Sequence, residues 1–168
     1  MIRQIAFDGM HWEALGEILS DVLRPLKKGQ IGHAGAEIGV RNGDTAERLL
    51  NRFPTICPLY LIDPFAPYMD VGDYFFTASE QARIEKAVAE RLWPFADRTI
   101  WAKLPSTHAA HAILDGSLDF AFIDADHSYP HVVEDIKAWW PKVRQGGVLC
   151  GHDFHMADVR RAVMEFAG

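Results

Sequence analysis

Acidic and histidine side chains follow two apolar segments of the sequence, in a pattern that can hold a metal ion or move a proton. Asp124, Asp126 and His127 come directly after one segment, and His152 and Asp153 come after the other. Carboxylates from both segments offer the oxygen ligands that hard divalent cations prefer, and an imidazole nitrogen would shift the preference towards a transition metal. The predicted metal ligands are therefore Asp124, His152 and Asp153.

Each of these residues also has an ordinary interpretation. Asp126 fits a solvated helix cap, and Ser128 fits the cap of the next helix. His152 and Asp153 fit a polar loop. For Asp124 we favour a functional role, because a carboxylate after a buried strand and close to other charges is costly unless a cation or ligand compensates it.

The glycine-containing segment from Glu37 to Asp44 is a second candidate site. Gly39 and Gly43 would let the backbone approach a ligand closely, and the start of the following helix offers free N–H donors. A carboxylate at the strand end, Glu37, suits a cationic ligand such as the amino group of an amino acid. The alternative is an ordinary strand-to-helix turn. The segment is not a GxGxxG motif, which disfavours a dinucleotide site and a nicotinamide oxidoreductase.

Asp63 lies at the end of the next predicted strand. A carboxylate at that position can accept both hydroxyl groups of a ribose. Because Asp63 precedes Pro64, the alternative is a turn-forming aspartate. Considered together with the glycine segment, ribose binding is the favoured prediction.

The other histidines and an aromatic stretch carry weaker signals. We interpret His131 and His155 as polar loop residues. His127 and His131 have the spacing of a zinc-protease helix, but Pro130 lies between them and the glutamate of that motif is missing. The aromatic stretch from Phe65 to Phe76 predicts either a lid over a substrate or a loop packed on the core.

An alternation of apolar strands and amphipathic helices positions these residues. The predicted strands are Ala34 to Val40, Leu59 to Ile62, Thr99 to Lys103, Asp119 to Ile123 and Val148 to Gly151. The predicted helices are about Gly9 to Leu26, Asp44 to Phe53, Ser79 to Leu92 with Ser79 as N-cap, Ser106 to Leu114, Pro130 to Trp140 and Met156 to Phe166. Strands without a polar face, alternating with helices, predict an α/β fold with a Rossmann-like, doubly wound, mostly parallel sheet and helices on both faces. Ligands bind beyond the carboxyl ends of such strands, where the acidic residues and histidines fall.

Length and composition fit one such domain over residues 1–168, including the N-terminal helix at about 9–26. The net charge of −6 argues against a nucleic-acid binder. No apolar run reaches the roughly 18–20 residues of a membrane span, and the first residues lack the features of a signal peptide. The two cysteines, Cys57 and Cys150, are far apart. We therefore expect a reduced, cytoplasmic protein.

Four segments together resemble the class I S-adenosylmethionine-dependent methyltransferases: Glu37 to Gly43, Ile62 to Asp63, Phe122 to Tyr129 and Gly146 to Phe154. Within this family, the sequence resembles most the branch of small-molecule O-methyltransferases that are related to sugar and macrolide tailoring enzymes. The resemblance spans about Ala34 to Phe166. It implies S-adenosylmethionine as the cofactor and a small hydroxylated molecule as the methyl acceptor.

The resemblance also implies roles for the residues that bind the cofactor. Glu37, Gly39 and Gly43 would surround its methionine part, and Asp63 would bind its ribose. Ser106 would lie near its adenine.

A second set of roles concerns the reaction itself. Asp124 would lie beside the transferable methyl group, and His127 would be the general base. Asp124 and Asp153 match metal-ligand positions of metal-dependent members. His152 stands where those members carry a carboxylate, which makes the site less suited to Mg²⁺ than to other divalent metals.

The sequence after Asp153 has room for one helix but not for the antiparallel hairpin with which this fold normally ends. The strand from Val148 to Gly151 would then be a bare apolar edge, and such edges are usually paired or covered. We therefore expect either a truncated chain or a homodimer that buries this edge. The competing function is a catalytically inactive cofactor-binding domain or a partner subunit.

Overall fold

The computed structural model describes residues 3–6, 11–26, 28–69 and 74–168, of which 3–6 and 11–14 are described by their backbone alone. The strands are β1 (Arg3–Ala6), β2 (His33–Ile38), β3 (Ile56–Ile62), β4 (Tyr68–Met69), β5 (Phe75–Phe76), β6 (Thr99–Ala102), β7 (Leu118–Ile123) and β8 (Val143–Gly151). The helices are α1 (His11–Val22), α2 (Asp44–Arg52), α3 (Ala78–Leu92), α4 (Ser106–Ala110), α5 (Tyr129–Trp139) and α6 (Ala157–Ala167). Short 3₁₀ turns follow α3 at Trp93–Phe95 and α5 at Trp140–Lys142.

Six of the strands form one sheet in the order β1-β8-β7-β2-β3-β6, and every pairing in it is parallel. The chain builds outward from β2 through β3 to β6, and then returns to β7 on the other side of β2. The strand order therefore reverses between β2 and β7, which is where open parallel sheets bind ligands. The predicted parallel α/β sheet is confirmed.

Helices cover both faces of this sheet, as predicted. Helices α1, α2 and α3 pack on one face around Phe120 and Phe122, and α4, α5 and α6 pack on the other around Ala121 and Ile123. Because alternate residues of a strand point to opposite faces, β7 contributes to both cores and is buried along its whole length. The largest fully buried side chain is Trp139 of α5, in the second core.

A buried ionic contact joins three central strands at their amino ends. One carboxylate oxygen of Asp119 accepts hydrogen bonds from Arg144 Nε at 2.8 Å and Nη2 at 2.7 Å. The other accepts from the backbone N–H of Ala34 at 2.9 Å. His33 Nδ1 lies 3.3 Å from the same carboxylate. This end of the sheet is thereby fixed, and it lies opposite the candidate site.

The prediction that the last strand forms a bare edge of the sheet is wrong. β1 pairs in parallel with β8, with Arg3 opposite Val148 and Ala6 opposite Gly151. The pattern analysis missed this strand because it is only four residues long and precedes the first clear amphipathic helix. With the edge paired, β8 gives no reason to expect a dimer there, and self-association stays an untested prediction.

Smaller differences concern the ends of elements. The N-cap of α3 is Thr77 rather than Ser79, because Thr77 forms a reciprocal capping box with Glu80. The last strand is longer than the predicted Val148 to Gly151: β8 begins at Val143 and continues through Gly146 and Gly147, with a register shift against β7. Positions 9 and 10 of the predicted first helix, and 70–73 of the aromatic stretch, lie outside the described residues. In the part of the chain that the structure describes, no helix has the length and apolarity needed to cross a membrane.

Candidate active site

The carboxyl ends of β2, β3 and β7 are tied together by backbone contacts. Gly39 has a φ of 89° and donates its N–H to the carbonyl of Ile62 at 2.9 Å, while Asp124 donates its N–H to Ile38 at 2.7 Å. A Cβ at Gly39 would lie 2.0 Å from the carbonyl oxygen of Asp124. Glycine is therefore required here by the contact between two strand ends, a reason that the sequence pattern did not reveal.

Gly43 also has a structural reason. It is the N-cap of α2 with a φ of 73°, and a Cβ there would lie 2.9 Å from the side chain of Val88. The interpretation as a tight strand-to-helix turn therefore holds for both glycines. Their predicted role around the methionine part of the cofactor is not tested by these contacts and stays a prediction.

Glu37 is a carboxylate buried at the end of β2. Only 1% of its surface is exposed, and its Oε2 atom is without a hydrogen-bond partner among the described residues. Burial, followed by the negative charges of Asp124 and Asp63, raises its pKa well above the ordinary value of 4.5. A buried acceptor atom without a donor is costly, so this site fits an ammonium group, such as that of a bound amino acid.

Asp63 organises the loop between β2 and α2. Its Oδ2 atom accepts the backbone N–H groups of Val40 and Arg41, both at 3.0 Å. Its Oδ1 atom accepts the N–H of Phe65 at 2.8 Å, which is the turn-forming contact offered as the alternative interpretation. A carboxylate has about four lone-pair sites and these contacts use three of them, so Oδ1 keeps one acceptor site for a ribose hydroxyl group. Ribose binding stays a prediction.

Four side chains converge beyond the ends of β7 and β8. His127 Nε2 lies 2.8 Å from Asp153 Oδ2 and 3.5 Å from Asp124 Oδ1. His152 Nδ1 lies 2.7 Å from the same Asp153 oxygen and 3.6 Å from Asp124 Oδ1. The structure therefore brings Asp124 close to His152, one of the two candidate residues that follow the last strand. We refer to Asp124, His127, His152 and Asp153 as the acid–histidine cluster.

The electrostatics of the cluster favour charged pairs. The Asp124 carboxylate raises the pKa of His127 above 6.5, an effect that partial burial opposes and the charge of Asp153 strengthens. Burial alone would raise the pKa of Asp153, but the contact with His152 and the charges of the neighbouring histidines lower it below 3.8. His127 Nε2 is shielded from solvent and is in no hydrogen bond to a described residue despite its short distances.

The cluster has the donor set of a metal site. One donor atom each from Asp124, His152 and Asp153 lie within 4.8 Å of one another, and all three side chains are half-buried. Two oxygens and one nitrogen fit a divalent cation, and the imidazole favours Mn²⁺, Fe²⁺ or Zn²⁺ over Mg²⁺. The residues therefore fit the predicted metal.

The charged residues around the acid–histidine cluster are more exposed to solvent than the cluster itself. Asp126 accepts the backbone N–H of Ser128 at 2.8 Å, and His131 contacts the Ser128 hydroxyl at 2.8 Å. Ser128 is the N-cap of α5 by position, although its hydroxyl makes no capping hydrogen bond to the helix backbone. His155 lies 3.6 Å from Asp153 and is mostly exposed. These contacts agree with the ordinary interpretations of Asp126 and His155. His131 is a polar residue of α5 and not of a loop, so that part of the prediction is wrong.

Ser106 begins α4 and faces α5. Its hydroxyl donates to Asp135 and accepts from Trp139 Nε1 at 2.8 Å. Burial raises the pKa of Asp135 to about 6. Sequence analysis missed Asp135, because a single acidic residue in an amphipathic helix gives no signal of burial. The hydroxyl of Ser106 is thus used between helices, and its predicted proximity to adenine stays untested.

The aromatic stretch forms a small ribbon beside the glycine loop. β4 and β5 pair in antiparallel fashion, and the rings of Tyr68 and Phe76 stack with centroids 5.0 Å apart. Arg41 of the glycine loop lies 5.9 Å from the Phe76 ring centroid. Tyr68, Met69, Tyr74 and Phe75 are substantially exposed. A position next to the glycine loop agrees better with the lid interpretation than with a loop packed on the core.

Comparison with known proteins decides the family. A family model described as a methyltransferase domain matches residues 36–154, which run from within β2 to just beyond β8 and contain the whole candidate site. The chain belongs to the methyltransferase domain family. A search of curated proteins gave no match.

Solved structures with the same fold include other methyltransferases. A protein from Corynebacterium glutamicum aligns with a TM-score of 0.62 at 19% identity, covering 95% of this chain and 70% of that one. The precorrin-6y C5,15-methyltransferase of Geobacter metallireducens gives 0.60 at 14% identity, covering 91% and 67%. An rRNA methylase from Streptococcus thermophilus gives 0.56 at 14% identity, covering 94% and 76%.

The predicted enzyme class is therefore confirmed at the level of an S-adenosylmethionine-dependent methyltransferase of class I. The finer expectations, an O-methyltransferase related to sugar and macrolide tailoring enzymes, a metal ion and the individual site residues, go beyond these comparisons.

Proposed function

We propose that this methyltransferase methylates a hydroxyl oxygen of a small molecule at the acid–histidine cluster. The observation that carries the proposal is the placement of His127 and two carboxylates directly beside the end of β2, where Glu37 lies. A hydroxyl nucleophile must lose a proton as it attacks, so an O-methyltransferase needs a base or a cation at the reacting oxygen. Methylation of a nitrogen or carbon atom depends less on such a base or cation.

The cofactor side of the site is proposed at β2 and β3. S-adenosylmethionine supplies a methyl group on a positively charged sulfur, and its amino acid part carries an ammonium group. Glu37 Oε2 has the position and the unsatisfied acceptor to bind that ammonium. Asp63 would accept a ribose hydroxyl at Oδ1 while its Oδ2 atom holds the backbone of Val40 and Arg41. Gly39, Gly43 and Ser106 complete the proposed set.

Proton transfer is assigned to His127. Its imidazole is half-buried and is held between Asp124 and Asp153. The carboxylates stabilise the imidazolium that forms when it takes up a proton, in the same way as the acidic partner in other histidine-based catalysis. Asp124 then has two tasks, because it orients His127 and lies next to the position of the transferred methyl group.

A divalent metal is proposed at Asp124, His152 and Asp153. When bound, such an ion lowers the pKa of a coordinated hydroxyl group and neutralises developing negative charge. His152 in place of a carboxylate lowers the negative charge of the ligand set, which disfavours Mg²⁺ relative to Mn²⁺ or Zn²⁺. Two of the residues that would hold the ion, Asp124 and Asp153, are also the partners of His127, at 3.5 Å and 2.8 Å.

Transfer of a labelled methyl group from S-adenosylmethionine tests the proposal. The acceptors are panels of small phenols, sugars and hydroxy acids, each matched with the corresponding amine, in the presence and absence of Mn²⁺. We expect label in hydroxylated compounds only, with the rate reduced about a hundredfold or more in His127→Gln. Label in the amines alone, or none in hydroxylated compounds although S-adenosylhomocysteine binds, would contradict O-methylation.

A further inference from the structure

A cleft opens between α5 and α6 directly below the acid–histidine cluster. Its polar lining residues are Asp124, Asp126, His127 and His152 from the ends of two strands and the thiol of Cys150. Its walls are apolar and come from both helices and the sheet: Ile123, Val132, Ile136, Leu149, Val159 and Val163. The cleft encloses about 40 Å³, more than the roughly 10–15 Å³ that one water molecule needs.

These walls are unlike the surroundings of a site that handles water or a polyol. A water molecule in the cleft needs two to four polar partners, and the side chains that α5, α6 and the sheet contribute to the lining are aliphatic except for the Cys150 thiol. Apolar walls that face a void also lose the dispersion contacts that a filled core would provide. A short apolar group would recover these contacts and leave no polar atom unpaired.

Its position connects the cleft to the reaction. His127 and Asp124 line the same cleft as residues of α5 and α6, so a substituent on an oxygen held by these two residues can extend between the helices. We propose that the cleft is an acceptor subsite that takes a short alkyl substituent next to the reacting hydroxyl. The substrate class is then a hydroxylated molecule with a short aliphatic arm, rather than a fully polar sugar. This inference rests on the proposed function.

Val163 is the residue that would set the size of the accepted group. It lies on α6, is partly buried, and lines the cleft, whereas the next residue, Met164, is 61% exposed. Val163→Phe adds a ring on the cleft side of the helix. Met164→Phe adds the same ring one residue further along and is the matched control.

Titration with primary alcohols, followed by NMR of the valine methyl groups, tests the subsite. Ethanol, 1-propanol and 1-butanol are added to the protein with and without S-adenosylhomocysteine. We expect affinity to rise about fourfold with each methylene until the cleft is filled, with the signals of Val132, Val159 and Val163 shifting. Val163→Phe removes the dependence on chain length, and Met164→Phe keeps it.

A second variant guards against misfolding of Val163→Phe. Val163→Ala enlarges the cleft, so the rise in affinity should extend to a longer alcohol. Affinity that does not depend on chain length, or a dependence unchanged in both Val163 variants, overturns the subsite.

Titration of S-adenosylhomocysteine in the same samples separates the two claims. If it binds while the alcohols show no dependence on length, the subsite fails and the proposed function stands. If it does not bind, the proposed function fails, and the role of the cleft as an acceptor subsite fails with it.

Discussion

Glu37 and His127 each bury a polar atom that no described residue satisfies by a hydrogen bond. Buried polar atoms in folded proteins nearly always have partners, so exceptions indicate a ligand or a catalytic role. One atom faces the proposed ammonium position and the other lies in the acid–histidine cluster. The same two residues carry the cofactor and proton-transfer steps of the proposed function.

The pH dependence of the reaction reports on His127. A general base must be neutral to act, and the contact with Asp124 raises the pKa of His127 above 6.5. We therefore expect kcat/KM to be low at pH values below the raised pKa of His127, and to increase as the pH rises through that pKa. In Asp124→Asn the rising limb should move to lower pH, because the carboxylate that raises the pKa is gone. A pH–rate profile that is identical in both proteins would contradict the role of His127.

Metal preference reports on His152. Replacing its nitrogen by a carboxylate in His152→Asp gives an all-oxygen ligand set, which suits Mg²⁺ better. We expect the ratio of Mg²⁺ to Mn²⁺ affinity, measured by calorimetry, to rise by tenfold or more in this variant. His155→Asp, one turn away and mostly exposed, is the control and should leave the ratio unchanged. An unchanged ratio in His152→Asp would exclude His152 as a ligand.

At the scale of elements, the contact between α4 and α5 should make stability depend on pH. Burial raises the pKa of Asp135 from 3.8 to about 6 in the folded protein. The unfolded chain ionises at lower pH, so folding becomes less favourable as pH rises between these values, by about 3 kcal/mol. Denaturant unfolding should show this loss in the wild type and a smaller one in Asp135→Asn. Equal losses in both proteins would show that Asp135 is not buried as an acid.

The amino ends of β2, β7 and β8 depend on the contacts of Asp119. Asp119→Ala leaves Arg144 and the N–H of Ala34 without their acceptor, and we expect a loss of about 3 kcal/mol in unfolding free energy. Asp115→Ala is the control, because the Asp115–Lys142 pair is largely exposed on the aspartate side and should contribute less than about 1 kcal/mol. Similar losses in the two variants would contradict the importance of this buried contact.

The element pattern was predictable because each central strand is apolar on both faces and each helix has one apolar side. The apolar run ending at Ile123 and the glycines after Ile38 located β7 and β2 together with their loops. Strand β1 was not predictable, because four residues carry too little periodicity. The packing of Gly39 on Asp124 also depends on how two distant strand ends meet, which no local pattern encodes.

At the scale of the whole molecule, the strand order determines where chemistry occurs. The order reverses between β2 and β7, so the end of β2 with Glu37 and the end of β7 with Asp124 lie side by side. The family match spans both ends. The prediction that residues from five segments meet at one edge followed from parallel strands alone, and the cluster of Asp124, His127, His152 and Asp153 confirms it for two of those segments.

The apolar cleft could not be predicted from the sequence, because it too depends on how distant segments pack against each other. Val132 and Val163 belong to helices whose apolar sides are typical of core packing, and nothing in their spacing distinguishes a filled interface from an open one. Only the arrangement of α5 against α6 leaves the space below the cluster. If the cleft is the proposed acceptor subsite, acceptor choice depends on helix packing rather than on a motif.

Calorimetric titration with S-adenosylhomocysteine, on the wild type and on Glu37→Gln, tests the central claim most directly. We expect micromolar binding by the wild type. The ammonium should favour the charged carboxylate and oppose the effect of burial, which raises the pKa of Glu37. Binding should therefore release protons, seen as heats that depend on the ionisation enthalpy of the buffer. Glu37→Gln should bind at least tenfold more weakly and without this dependence. Equal affinity in the two proteins, or no binding by the wild type with or without Mn²⁺, would contradict the site described for the cofactor.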